Sequence, residues 1–343
     1  MRKHRNELLP VLSDYFTEYL PIVKGLSPNS IRSYQYAFQL LFEFLASEKQ
    51  TYPEKVDFKN LEGTVTREFL AWLEAKRGCS ISSRNQRLSA LSSFSSYAIN
   101  KCPSSALRFY TDVSAVPQKK KPERTPVYFT RTEVSVLLKL PDGSTKASAR
   151  DRVLLSVLYA SGARAQELCD ITVSDIRFDG KTAIKLVGKG NKGRIVTIPD
   201  KCAELLLFYL KSNDLSNKPD KYVFSSQTHE HMSISCIEGI VKKYVRLAKK
   251  QNQDIFPEKH YTPHSFRHSI AVHMLESEIP LPVIKNFLGH TSIETTMIYA
   301  TVSADLTNRY LKNKSILNDM IPTEQNIGAT TKPRLDFLKM MKK

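Results

Sequence analysis

Four short stretches of the chain hold side chains whose types suit work on a phosphodiester. They are Ser161-Gly162-Ala163-Arg164-Ala165-Gln166-Glu167-Leu168, the Gly188-Lys189-Gly190 turn, Pro263-His264-Ser265-Phe266-Arg267-His268, and Leu288-Gly289-His290 followed by Tyr299. A phosphodiester in transfer spreads negative charge over its non-bridging oxygens. Two guanidiniums, each a planar fork of donors, can clamp those oxygens and stay charged at any working pH. A phenol, with an ordinary pKa near ~10, must lose its proton to attack phosphorus, which asks for an imidazole within reach. The departing 5′ hydroxyl leaves poorly as an alkoxide and needs an acid, which a lysine on a mobile Gly-flanked turn can supply. Singly, each stretch is weak: a tyrosine late in a chain is most often a core residue, and Gly-Lys-Gly is most often only a turn. Their order along one chain is what makes the set specific.

These side chains must be held by elements that the apolar pattern predicts. Glu167 stands three residues beyond Arg164, on the same helical face, where it can fix the guanidinium's orientation. Thr130-Arg131-Thr132-Glu133 is a capping box that opens a helix, and an apolar helix runs from Arg152 to about Ala160. Alternating and β-branched residues on either side of Gly188-Lys189-Gly190-Asn191-Lys192-Gly193 predict a hairpin over 182–198, with Lys189 and Lys192 on its turn and Arg194 just beyond. Further helices are expected at about 201–212, 234–250, 265–277, 281–288 and 292–298. Earlier in the chain, Ser27-Pro28 reads as N-cap and first helical residue of a helix over 28–47 whose apolar stripe is Ile31, Tyr34, Phe38, Leu41 and Leu45. Leu8, Leu12, Tyr15, Phe16 and Tyr19 predict a helix before it. Thr66 is a candidate cap for a helix through Phe69, Leu70, Trp72 and Leu73 that stops at Gly78, and a fourth helix spans 81–100. The outer face of that fourth helix reads Arg84, Asn85, Arg87, Ser92, Ser93 and Ser96, where short hydroxyls beside arginines would allow close approach to a phosphate backbone.

Composition narrows the class. The chain of 343 residues is 41% apolar and 25% charged, enough to bury cores and too apolar for disorder as its main state. Its net charge of +17 favours a polyanionic partner, because each phosphate neutralised by Lys or Arg releases condensed counterions. The charge is spread rather than gathered in a tail: +4 over 1–115, +3 over 116–126, +7 over 127–320 and +3 over 321–343. Residues 116–126 hold three prolines and Lys119, Lys120 and Lys121, and read as an extended basic linker between domains at 1–115 and 127–320, with 321–343 a basic tail. Five widely spaced cysteines without a Cys-x-x-Cys pair read as reduced thiols, and no stretch suits a membrane span or signal peptide, so a cytoplasmic protein is expected. His264 and His268 are four apart, and His229 and His231 flank a glutamate, but no third ligand has the spacing of a known metal site. His268 is expected to pack or hydrogen-bond within its own helix. Neither a phosphate-binding loop nor a carboxylate cluster for Mg²⁺ is present, so neither ATP nor metal is expected.

The ordered motifs strongly resemble the tyrosine recombinase family, also called phage integrases. The resemblance extends to the N-terminal half, where Leu26-Ser27-Pro28-Asn29-Ser30-Ile31 and Arg87-Leu88-Ser89-Ala90-Leu91 look like the family's helical core-binding domain. It implies a mainly α fold with a small β-hairpin or sheet in the catalytic domain, the two domains closing as a C-shaped clamp on double-stranded DNA. Arg164, Lys189, His264, Arg267 and His290 would be the active-site set, with Tyr299 the nucleophile and Glu167 in the accompanying acidic position. Ser161 and Ala163 stand where Thr and Leu are usual. Arg84, Arg87, Lys119, Lys120, Lys121, Lys192 and Arg194 would meet DNA. The implied activity is site-specific recombination through a 3′-phosphotyrosine and a Holliday junction, by a homotetramer on two inverted-repeat core sites.

An apolar stripe at Leu306, Tyr310, Leu311 and Leu317 suits docking of the segment after Tyr299 on a neighbour, with packing against its own protomer as the alternative. A chain that opens almost at once on core-binding helices is expected to be the simple two-domain type. Its basic tail and long linker lean toward an integrase or transposase of a mobile element, against a housekeeping Xer-type resolvase. A type IB topoisomerase-like enzyme would share the chemistry without partner exchange, and a DNA-binding protein without catalysis would share only the charge.

Overall fold

A computed structural model of the chain describes residues 6–122, 125–188, 193–251, 255–258 and 260–300. The chain divides into two compact units, Met1–Glu123 and Arg124–Lys343.

The first unit is helical. Helix Leu8–Asp14 continues as a π-helix over Tyr15–Val23 with Pro21 inside it, and Pro28–Lys49, Val65–Ala75, Ile81–Lys101 and Pro103–Ser114 follow. Ser27 caps the second through a bond from Ser30 N, and Ser80 caps the helix at Ile81 in the same way. The cap expected at Thr66 is displaced. That helix starts at Val65, and Thr66 is buried on its inner face. Helix Pro103–Ser114 was not expected, although Pro103 at its first turn and the spacing of Ala106, Phe109 and Val113 are its signal. Phe94 sits at the centre of the core, with ring centroids 5.2 Å from Tyr15, 5.1 Å from Phe38 and 6.1 Å from Phe109.

Four residues expected to face phosphates do other work here. Arg84 and Asn85 are buried: Arg84 Nη1 donates to Pro117 O (3.0 Å), while Asn85 donates to Lys119 O (2.8 Å) and accepts from Lys119 N (3.1 Å). These side chains satisfy backbone groups of residues 117–119, which have no regular structure to pair them. The basic segment is therefore fastened to the helix as far as Lys119. Arg87 lies over the Tyr36 ring and bonds Ser33, and the Lys119 ammonium pairs with Glu74 at 2.7 Å. Lys120 and Lys121 are exposed.

The second unit packs helices Arg131–Lys139, Lys146–Ser161, Ala165–Asp170, Asp200–Ser212, Ile234–Gln251, Pro263–Glu276, Leu281–Leu288 and Glu294–Met297 around a three-stranded antiparallel sheet. Thr130 and Glu133 form the reciprocal capping box (3.2 and 2.6 Å). Strands β1 (Ile176–Arg177), β2 (Ala183–Val187) and β3 (Gly193–Thr197) lie in that order, and β2 pairs with β3 from Ala183↔Thr197 to Val187↔Gly193. The short β1 was not expected, since two residues are too few to show alternation. In β2, Ile184 and Leu186 face the core while Lys185 and Val187 are exposed. Lys189 and Lys192, which follow β2 and precede β3 in the sequence, lie outside the described residues. So do Leu306, Tyr310, Leu311, Leu317 and the basic tail. No helix among the described residues is long and apolar enough to cross a membrane.

Candidate active site

Helix Lys146–Ser161 ends at Gly162, whose φ of +57° turns the chain left-handed. A Cβ at that position would stand 3.1 Å from Leu288 and Phe287 side-chain atoms, so glycine suits both the turn and the close approach. The turn aims two groups. The Gly162 carbonyl accepts from Arg267 Nη1 (2.7 Å), and Arg164 follows in extended conformation at the N-cap of helix Ala165–Asp170.

Glu167 lies one turn into that short helix and is 3% exposed. Its Oε1 accepts from Arg164 Nη1 (2.7 Å) and Arg194 Nη1 (2.8 Å), and its Oε2 from Arg164 N (2.8 Å) and Arg194 Nη2 (2.9 Å). All of a carboxylate's ~four lone-pair positions are thereby used. Burial alone would push the Glu167 carboxyl up, but the bonds from Arg194 and Arg164 outweigh it and hold the group below the usual carboxylate value. The expectation that Glu167 contacts the Arg164 guanidinium is met in this geometry. Arg194, expected at the DNA surface, is instead an inward side chain 11% exposed, whose Nε also donates to Phe287 O (2.9 Å). Strand alternation carried the signal, because Arg194 shares its face with Val196 and Ile198, both buried.

Helix Pro263–Glu276 contributes His264, Arg267 and His268. Arg267 is 2% exposed, and its second amino group donates to Leu288 O (2.5 Å). Burial and the neighbouring charges of Arg164 and Arg194 push its pKa down to about 10, which leaves it charged at neutral pH. Of the ~five guanidinium donors, two are spent on carbonyls and three remain. His264 is exposed, with desolvation and the guanidiniums of Arg267 and Arg164 holding its imidazole below the usual value.

Tyr299 is 1% exposed. Its hydroxyl lies 3.0 Å from His268 Nδ1, and its ring stacks on His290 at 6.4 Å and 18°. The imidazole beside the phenol is that of His268, one helical turn beyond His264 on the same face, with the two imidazole centroids 5.7 Å apart. Burial raises the phenol's pKa against the pull of Arg267 and Arg164. His290 follows Gly289 at the end of helix Leu281–Leu288, and its Nδ1 lies 2.9 Å from Thr296 Oγ1. Arg164, Glu167, Arg267, His290 and Tyr299 thus gather in the second unit, with His264 at the rim and Arg194 and His268 added. Among the described residues no three His, Cys, Asp or Glu side chains are grouped as metal ligands.

His268 and His290 have pKa values pushed down to about 4, by burial first and then by nearby positive groups. A folded-state pKa below the unfolded value of ~6.5 gives stability that is whole above that value and is lost as pH falls toward the folded one. Acidification from pH 7 to pH 5 should therefore destabilise this unit by on the order of 1–2 kcal/mol, allowing for partial solvent access to both rings. Thermal unfolding across that range measures it, and a flat profile would contradict it.

The sequence matches the Phage integrase family over residues 128–305, and the Phage integrase N-terminal SAM-like domain over 14–101. It is 31% identical to the tyrosine recombinase XerA of Pyrococcus furiosus over 322 residues, 93% of this chain and 98% of that one. In fold it resembles the XerH site-specific recombinase bound to palindromic difH substrate (TM-score 0.67, 21% identity, 84% of this chain and 80% of that one). It also resembles the Tn1549 transposon integrase in complex with circular intermediate DNA (TM-score 0.62, 17% identity, 88% and 98%).

Proposed function

The chain belongs to the phage integrase family and is a tyrosine site-specific recombinase, and from that premise we propose how its own residues carry out the reaction. The observation that carries the reading is the Tyr299 phenol, held between His268 and His290 within the field of Arg267 and Arg164. Tyr299 oxygen attacks the scissile phosphorus, the bond from phosphorus to the 5′ oxygen breaks, and Lys189 gives its proton to that oxygen. Arg164 and Arg267 hold the non-bridging oxygens, with Glu167 keeping Arg164 in place. A Thr296 hydroxyl donating to His290 Nδ1 leaves the ring proton on Nε2, the tautomer that donates to an oxyanion. The phenolic proton leaves through His268, which already bonds it, toward the exposed His264.

The 3′-phosphotyrosine keeps the energy of the broken bond, so another strand's 5′ hydroxyl can religate it with neither ATP nor metal. On this reading the substrate is a double-stranded inverted-repeat core site in the cytoplasm. The working form is a tetramer on two sites that passes through a Holliday junction. We assign it to a mobile element. The identity to XerA favours a second reading, housekeeping resolution of chromosomes, and a footprint of cleavage sites in the genome separates the two.

A nicked suicide duplex carrying the core site should trap a covalent adduct, and none forming would overturn the reading. Lys189→Ala should bind DNA normally and cleave slowly, and a 5′-phosphorothiolate leaving group, which needs no acid, should restore its rate. Without that restoration the acid is not Lys189. A supercoiled plasmid relaxed with no tetrameric synapse would instead indicate topoisomerase-like action.

A further inference from the structure

We propose that Arg194 is a positioning residue of the recombinase site, fixing the Arg164 guanidinium through the carboxylate of Glu167; the inference rests on the role given to Arg164 above. Arg194 supplies two of the four hydrogen bonds that Glu167 accepts, one to each oxygen, and so sets the plane of the carboxylate. Arg164 supplies the other two, from its backbone N–H and from Nη1. The Arg164 side chain is 36% exposed, and the Glu167 carboxylate is the fixed group that restrains its guanidinium. If that carboxylate turns, the Arg164 fork turns with it.

Arg194 is itself held from a third direction. Its Nε donates to Phe287 O, and Gly289, with φ +66°, makes room for it: a Cβ there would stand 2.9 Å from Arg194 Cδ. One side chain therefore ties β3, the helix that carries Glu167, and the end of the helix that leads into His290. A lysine could not reproduce this, because a single ammonium cannot place parallel donors on both carboxylate oxygens while also reaching Phe287 O.

The test uses the full chain on the nicked suicide duplex. Arg194→Ala should lower the rate of covalent adduct formation about 100-fold, as expected for misplacement of a catalytic group by about an ångström, with affinity for the uncleaved site changed less than about threefold. Arg194→Lys should be nearly as slow. The 5′-phosphorothiolate substrate should not rescue Arg194→Ala, although it rescues Lys189→Ala. Arg194→Ala leaves the buried Glu167 carboxylate with two of its four hydrogen bonds, those from Arg164, so a chain that fails to fold is replaced by the Arg194→Met/Glu167→Gln double variant, which removes both charges and should be equally slow. Wild-type cleavage by either variant, full rescue by the phosphorothiolate, or loss of affinity in step with rate would each overturn the proposal. If the wild-type chain forms no adduct, the recombinase chemistry itself fails. If it forms one and the Arg194 variants match it, only the positioning role falls.

Discussion

Replacing Tyr299 with phenylalanine is expected to remove covalent adduct formation to below detection, a loss of at least about 10⁴-fold, because no second nucleophile stands in the oxygen's place. The change deletes one atom from a ring that is 1% exposed and leaves its stacking on His290 intact. The lost partner is His268 Nδ1 at 3.0 Å, and an imidazole nitrogen left unbonded there costs about 1 kcal/mol. The variant should fold, bind its site with unaltered affinity and assemble with wild-type protomers. Gel analysis of the suicide-duplex reaction checks it. An adduct that survives the substitution would mean that the nucleophile lies elsewhere in the chain.

Arg267→Lys is expected to damage rate and stability together. The guanidinium reaches Gly162 O and Leu288 O from one plane and still has donors to offer a phosphate. A lysine keeps one charge on one nitrogen and cannot span both carbonyls. It also meets a pocket already unfavourable to charge, where burial and two neighbouring arginines push even the guanidinium down to about 10. Cleavage should fall roughly 10³-fold, in line with removal of an oxyanion donor, and unfolding free energy by about 2–4 kcal/mol for carbonyls left without partners. Single-turnover cleavage and thermal unfolding separate the effects, and a variant that cleaves normally would remove Arg267 from the phosphate clamp.

Local rules made much of this readable in advance. Ser27 and Thr130 cap helices through contacts three residues away, and the antiparallel pairing of β2 with β3 follows from alternation on either side of glycines. The motif residues of the site were legible because their types and order are unusual. Partners set by folding were not. Arg194 meets Glu167 from 27 residues away, and His268 meets Tyr299 from 31, distances over which no periodicity speaks. Arg84 misled for a different reason: a helix wheel places arginine outward, but the backbone of residues 117–119 needed donors and the arginine turned to supply them. Arg194 was the recoverable miss, since the strand pattern that put Val196 inside put it there too.

The sealing of Tyr299 bears on what a cell can tolerate. A reagent able to break chromosomes is dangerous in proportion to how often it meets DNA in a reactive state, and a phenol at 1% exposure meets nothing by simple diffusion. For the proposed attack to occur, a scissile phosphate has to be brought to an oxygen that the surrounding side chains now cover.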